Sequence, residues 1–148
     1  MRLIEKAYQD AQKDLGLDWK EITGSESNEK ILACYKAVDG LGNPEMWDDS
    51  KIAWCSCYVN KKIQDAGGRG TRSPSARSWL RWSKEIKTPH EGCIVILKRG
   101  KSEWQGHVGF LSKIDYQYVW VLGGNQHNEV NITRFLRTDI LGFRTSND

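Results

Sequence analysis

Residues 93–126, CIVILKRGKSEWQGHVGFLSKIDYQYVWVLGGNQ, decide the fold. Three runs within it, Cys93 to Leu97, His107 to Leu111 and Tyr118 to Leu122, are rich in β-branched and aromatic residues and bounded by glycine, which predicts three short strands. Glu129 to Phe135 and Leu141 to Arg144 continue the texture as two further strands. Upstream the apolar period changes. Leu3, Ala7, Ala11 and Leu15 share one face of a helix over residues 2–15, and Ile31, Leu32, Tyr35 and Val38 share one over 28–38. Cys55, Val59, Ile63 and Ala66 align on a third helix over 53–66, closed by Gly67-Gly68, and Ser75 to Trp82 reads as a short fourth. Helices first and strands afterwards predict an α+β fold, N-terminal helices packed on a C-terminal antiparallel sheet.

At 148 residues the chain matches one ordinary domain, so residues 1–148 are read as a single unit. With 39% apolar and 28% charged residues it is neither a disordered nor a membrane-embedded composition. No run approaches the roughly 20 apolar residues of a spanning helix. The start, MRLIEKAYQDAQKDLG, alternates charges and lacks the apolar core of a signal peptide, so synthesis in the cytoplasm without a leader is expected.

The four cysteines are Cys34, Cys55, Cys57 and Cys93. Without a secretion signal a disulfide framework is unsupported, and Cys-x-Cys at 55/57 is not a zinc knuckle, so neither metal nor cofactor is expected. Charge is uneven: residues 61–101 hold eleven Lys/Arg against three Asp/Glu, whereas residues 1–60 hold seven against eleven. A basic middle suits an anionic polymer, with Lys98, Arg99 and Lys101 assisting attachment rather than chemistry.

Cys55 stands near the start of the third helix, where the helix dipole stabilises a thiolate, the nucleophilic form. Residues two apart on a helix point about 200° apart, so Cys55 and Cys57 cannot face one cleft. Cys55 aligns with Val59 and Ile63 toward the body of the protein, and Cys57 with Lys61 and Gln64 toward water or a side contact. His107 opens a strand behind Gly106, whose missing side chain lets a thiol or substrate approach the ring. A Cys–His site needs a third polar group to orient the imidazole. Leu122-Gly-Gly-Asn-Gln offers Asn125 first and Gln126 second, against the alternative that Gly-Gly-Asn is only a turn.

Four blocks therefore follow in order: Trp54-Cys55-Ser56-x-Tyr58-Val59-Asn60, Ser75-Ala-Arg-Ser-Trp-Leu80, Gly106-His107-Val-Gly-Phe110 and Leu122-Gly-Gly-Asn-Gln126. Together they resemble the CHAP-like cysteine peptidases and amidases of the NlpC and papain-like superfamily, in a compact branch found in phage lysis proteins and bacterial wall-targeting proteins. The resemblance implies a papain-like fold, Cys55 as nucleophile, His107 as general base, and cleavage of an amide in the peptide part of peptidoglycan. Many such domains carry Glu two residues before the Asn of the last block; here that position is Gly123, which leaves a neutral orienter. No acidic calcium loop of the kind some relatives carry stands out.

Substrate contacts are expected from Trp54, Trp104, Gln126 and Asp49, the last six residues before the nucleophile at the cleft rim. Among the seven tryptophans, Trp79 and Trp82 also flank the motifs and are candidates for stacking on sugars. The chain is expected to act as a monomer on the wall after release or delivery. Rival readings are an antibacterial effector amidase, a cysteine acyltransferase sharing the whole site, and a non-enzymatic module binding an anionic polymer. A nucleic-acid partner is not expected, because it leaves Cys55, His107 and the glycine-rich block unexplained.

Overall fold

Two buried clusters, one on each face of a single sheet, organise the chain. The structure, a computed structural model, describes residues 1–17, 28–43 and 53–148. Three helices come first: α1 (Leu3–Lys13), α2 (Glu29–Tyr35) and α3 (Cys55–Asp65). A 3-10 helix (Ala76–Arg81) leads into six strands, β1 (Lys84–Ile86), β2 (Ile94–Lys98), β3 (Gly106–Ile114), β4 (Tyr118–Gln126), β5 (Glu129–Leu136) and β6 (Ile140–Thr145). The sheet runs β1-β6-β2-β3-β4-β5 and its pairings are all antiparallel. The fold is α+β and papain-like, as the order of apolar periods implied. The strand Lys84–Ile86 was not among those expected. It is charged and exposed, and it exists only through its pairing with β6 at the sheet edge.

Strand alternation sorts the apolar side chains between the two faces. Ile94, Ile96, Val108, Phe110 and Leu122 pack on the helices. Cys93, Val95, Leu97, Leu111, Val119 and Val121 build the second cluster on the opposite side, closed by Ile86, Ile114, Phe135, Ile140 and Phe143. A sheet with both faces dry gives the site strands β3 and β4 a rigid base.

Helix α3 lies at the centre; Lys61, Gln64 and Asp65 keep the wetter side that the sequence pattern gave them, but burial reaches further round the helix than expected. Cys57 is fully buried, and so is Lys62 but for 4% of its surface. An unpaired ammonium there would cost several kcal/mol. Lys62 instead meets Asp14 at 2.6 Å and Asp10 at 3.1 Å, both on the α1 side. Burial pushes the Lys62 pKa down, but the two carboxylates more than offset this and hold it above its ordinary value. Tyr58 donates to Asp14 at 2.7 Å, completing the anchor between α1 and α3.

On its other flank α3 is tied to the loop that follows it. Ser56 Oγ donates to the Ser73 carbonyl at 2.6 Å and accepts from Trp79 Nε1 at 2.9 Å. Asn60 Oδ1 accepts from the Arg72 backbone N–H, and its Nδ2 donates to the Ser56 carbonyl and Thr71. Buried polar groups satisfied in this way specify one arrangement. Trp79 is therefore a frame residue and not a sugar platform, and Trp82 is likewise tied down, its Nε1 donating to the Arg69 carbonyl.

Candidate active site

Cys55 is the first residue of α3, and no side chain caps that terminus, so the positive end of the helix dipole is unmasked. His107 is the second residue of β3, paired across to Leu97 of β2. The helix start can come down onto the sheet because β4 has no side chain at the point of contact. A Cβ on Gly124 would lie 2.5 Å from the Trp54 ring and 3.0 Å from Tyr58. Trp54, expected as a substrate contact, is instead fully buried there, wedged against Gly124 one residue before the nucleophile.

The imidazole is held by Gln126 and not by Asn125. His107 Nε2 and Gln126 Oε1 are 2.8 Å apart. The amide cannot be the other way round, because Gln126 Nε2 already faces three acceptors: the Val121 carbonyl at 3.0 Å, the Asn131 carbonyl at 2.8 Å and Asn131 Oδ1 at 2.9 Å. Oε1 can only accept, so His107 Nε2 carries the proton. In the neutral ring Nδ1 is then left with the lone pair. Asn125, the first choice as orienter, has a left-handed backbone with φ 59° in a bulge where the β4–β5 register shifts between Gly123 and Gln126. The bulge puts the next residue against the ring. The alternative of a Gly-Gly-Asn turn is replaced by a turn at His127-Asn128, both at positive φ, after a strand that runs through Gln126.

Nδ1 of His107 is buried without a hydrogen-bond partner. The ring and the Cys55 thiol are coupled, each shifting the other. Burial pushes the Cys55 thiol up, but the imidazole, the Val108 backbone N–H and the charge of Arg99 hold it below its ordinary range. Burial pushes His107 down, yet Cys55 and Gln126 hold it above its ordinary value. The two shifts favour a thiolate–imidazolium pair that titrates as one system. The other cysteines go the opposite way. Burial raises Cys57 to about 12 and Cys93 to about 11, and lifts Cys34 well beyond the usual thiol range. All four cysteines are free, and the three with raised values have no exposed surface.

The Phe135 ring lies 5.2 Å from the imidazole, tilted by 34°. Two open cavities flank the pair. One, about 310 Å³, includes Cys55, Pro74, Ser75 and Trp104. The other, about 230 Å³, includes His107, Asn125, Gln126 and Phe135. A larger cavity of about 620 Å³ lies beside Leu3, Arg69 and Asp148 and touches none of these residues. Trp104 is 75% exposed on the Cys55 side. Its loop is held by Arg77, which donates to the Gln105 carbonyl at 2.7 Å and the Ser102 carbonyl at 2.6 Å. Asp49 lies outside the described residues.

The family model for the CHAP domain matches residues 45–125, more than half of the chain and the span from before the nucleophile to the glycine-rich block. The chain belongs to the CHAP domain family. CHAP domains are of the cysteine peptidase and amidase type and imply peptidoglycan as substrate. No curated protein and no solved structure matches this CHAP domain significantly. Among its described residues no helix is long and apolar enough to cross a membrane. Sequence reasoning did not find Asn131, which fixes the amide of Gln126, nor Arg99 as a wall of both cavities. A signal for Asn131 existed: a polar residue interrupting a strand beside the glycine-rich block.

Proposed function

We propose that this CHAP domain hydrolyses an amide in the peptide part of peptidoglycan through a thioester on Cys55. The observation that carries the reading is the His107 ring: Nε2 is committed to Gln126, Nδ1 is buried without a hydrogen-bond partner, and the ring and the Cys55 thiol shift each other toward the ion pair. Nδ1 takes the Sγ proton, and the thiolate attacks the carbonyl carbon. The backbone N–H of Cys55, at the helix start, is the candidate donor to the oxyanion. Nδ1 then gives its proton to the leaving nitrogen as the C–N bond breaks. Water, deprotonated by His107 Nδ1, attacks the thioester carbonyl; the C–S bond breaks, the acid leaves, and the proton is shared again by Nδ1 and Sγ. Because the proton donor must stand on the side of the departing amine, the His107 cavity takes the leaving group and the Cys55 cavity with Trp104 takes the acyl group.

Within this class we assign the chain to lysis of the phage-endolysin type, working as a monomer on the wall side of the membrane. The basic stretch 61–101, suited to an anionic polymer, supports this. The test is mass spectrometry of the material released from purified sacculi. Wild-type protein should release muropeptides with one new amine and one new carboxyl terminus, and Cys55→Ala should release none. Release by Cys55→Ala at the wild-type rate, or none by either, would overturn the reading.

A further inference from the structure

Arg99 follows β2 directly and, among the described residues, is the one that lines both the Cys55 cavity and the His107 cavity. The other walls differ. Pro74, Ser75 and Trp104 belong to the acyl side, and Asn125, Thr133 and Phe135 to the leaving-group side. On the acyl and leaving-group assignment above, a group shared by both cavities would flank the scissile bond.

The guanidinium is uncommitted. Among the described residues no carboxylate pairs with Arg99, whereas neighbouring Lys98 lies 3.9 Å from Asp139, and Arg72 and Arg144 are each paired. Its charge is felt at both reacting atoms, favouring the Cys55 thiolate and opposing a proton on His107. An exposed cation left unpaired at an open cleft has an anion as its natural complement, and Arg presents a planar fork that matches a carboxylate in bidentate fashion. In the peptide part of peptidoglycan the available anions are carboxylates. An ordinary α-linked peptide bond has no free carboxylate beside it. One joined through a side-chain carboxyl, or to an amine of a diamino acid, does.

We infer that Arg99 is a specificity-determining residue that binds a free substrate carboxylate flanking the scissile amide, so that the preferred substrate is an amide bond with such a carboxylate next to it. This rests on the hydrolase reading above for the source of the carboxylate, though not for the anion preference of the cleft itself. The bound carboxylate would also neutralise Arg99, which removes the charge opposing protonation of His107 and makes the ring a better base once substrate is in place.

Two measurements test it. The first needs no peptidoglycan: Cys55 is alkylated with iodoacetate and with iodoacetamide, which share a mechanism and differ in one carboxylate. The ratio of the two rates cancels any change in thiol reactivity. It should fall about tenfold in Arg99→Gln, the scale of one charge-assisted hydrogen bond, and recover in part in Arg99→Lys. An unchanged ratio in folded Arg99→Gln, judged by its thermal midpoint, overturns the inference. The second compares paired soluble muropeptides whose carboxylate beside the cleaved bond is free or converted to a primary amide. Wild-type protein should prefer the free acid by about tenfold or more in kcat/KM, and Arg99→Gln should lose most of that preference. Equal cleavage of both by the wild type overturns the inference while leaving the hydrolase reading intact. Cleavage of neither, with the alkylation ratio behaving as expected, overturns the hydrolase reading and the substrate assignment but not the anion site.

Discussion

Replacing Gln126 by alanine isolates the orienting function of the site. The substitution removes the acceptor 2.8 Å from His107 Nε2 at a side chain that is 97% buried. A buried N–H left unsatisfied costs about 1–3 kcal/mol, with the upper part of that range for a charged donor such as the imidazolium formed during reaction. At about 1.4 kcal/mol per decade, kcat/KM should fall roughly 10- to 150-fold. The pH profile gives the diagnostic sign. His107 is held above its ordinary value by Cys55 and Gln126, so losing Gln126 moves the alkaline limb to lower pH. Cys55 is held below its ordinary value mainly by the imidazole, so a less readily protonated ring moves the acidic limb to higher pH. The working window narrows from both sides. Rates of Cys55 alkylation against pH report the pair without any substrate, and hydrolysis of a soluble muropeptide reports kcat/KM. The control is Asn125→Gly, which suits the φ of 59° and should leave both limbs of the Cys55 alkylation profile in place, because the acceptor on the His107 ring is Gln126. An inactive Asn125→Gly beside an active Gln126→Ala, both folded, would refute the assignment, as would limbs that do not move in Gln126→Ala.

Asn131→Ala should lower activity less than Gln126→Ala, because it removes one of three acceptors on the Gln126 amide and leaves the Val121 and Asn131 carbonyls in place; equal losses in kcat/KM would mean the network acts as one unit. Cys55→Ala should abolish wall hydrolysis, while Cys57→Ala and Cys34→Ala should keep most of it and lose about 0.5–3 kcal/mol of stability in denaturant unfolding. Gly124→Ala should cost about 1–3 kcal/mol through overpacking against Trp54, read as a lower thermal midpoint together with lost activity as the helix start is displaced. Neutralising Lys101, which lines neither cavity of the cleft, should weaken attachment to sacculi most at low salt, where screening is least; equal losses on soluble muropeptides would mean that its charge acts on the cleft. Fusing an export leader should turn harmless cytoplasmic expression into lysis, and lysis without export would count against action on the wall.

The strands of the central sheet were legible because β-branched runs between glycines have few other uses, and the three helices because their apolar faces recur at helical spacing. Lys84–Ile86 was not, since three residues, two of them charged and exposed, become a strand only where β6 supplies hydrogen bonds. Burial of Lys62 was illegible for the same reason: its partners Asp10 and Asp14 lie some fifty residues upstream, and local pattern reads a lysine as wet. The site was legible to the level of Cys55, His107 and the glycine-rich block. Which residue of that block meets the ring depends on a bulge, and a bulge changes which face a side chain takes without leaving a mark in composition. Trp54 was misread because an aromatic beside a nucleophile suits either a substrate or a close contact, and only the bare backbone of Gly124 opposite decides between them.

The four blocks that signal the family do unequal chemical work. Three side chains, Cys55, His107 and Gln126, form the arrangement that can react, and each comes from a different element: α3, β3 and β4. Most of the remaining block residues hold those elements in register. Ser56, Asn60 and Trp79 bind the nucleophile helix to the 67–75 loop, and Arg77 fixes the loop that carries Trp104. Gly123 and Gly124 let α3 and the Gln126 side chain approach β4. A thiol and an imidazole on separate elements gain from this frame because a displacement of about 1 Å in such a pair can cost two orders of magnitude in rate. The one polar atom of the triad the frame does not satisfy is Nδ1 of His107. A ring that is fixed at Nε2 and unmet at Nδ1 can take the Cys55 proton without breaking any hydrogen bond that holds it in place.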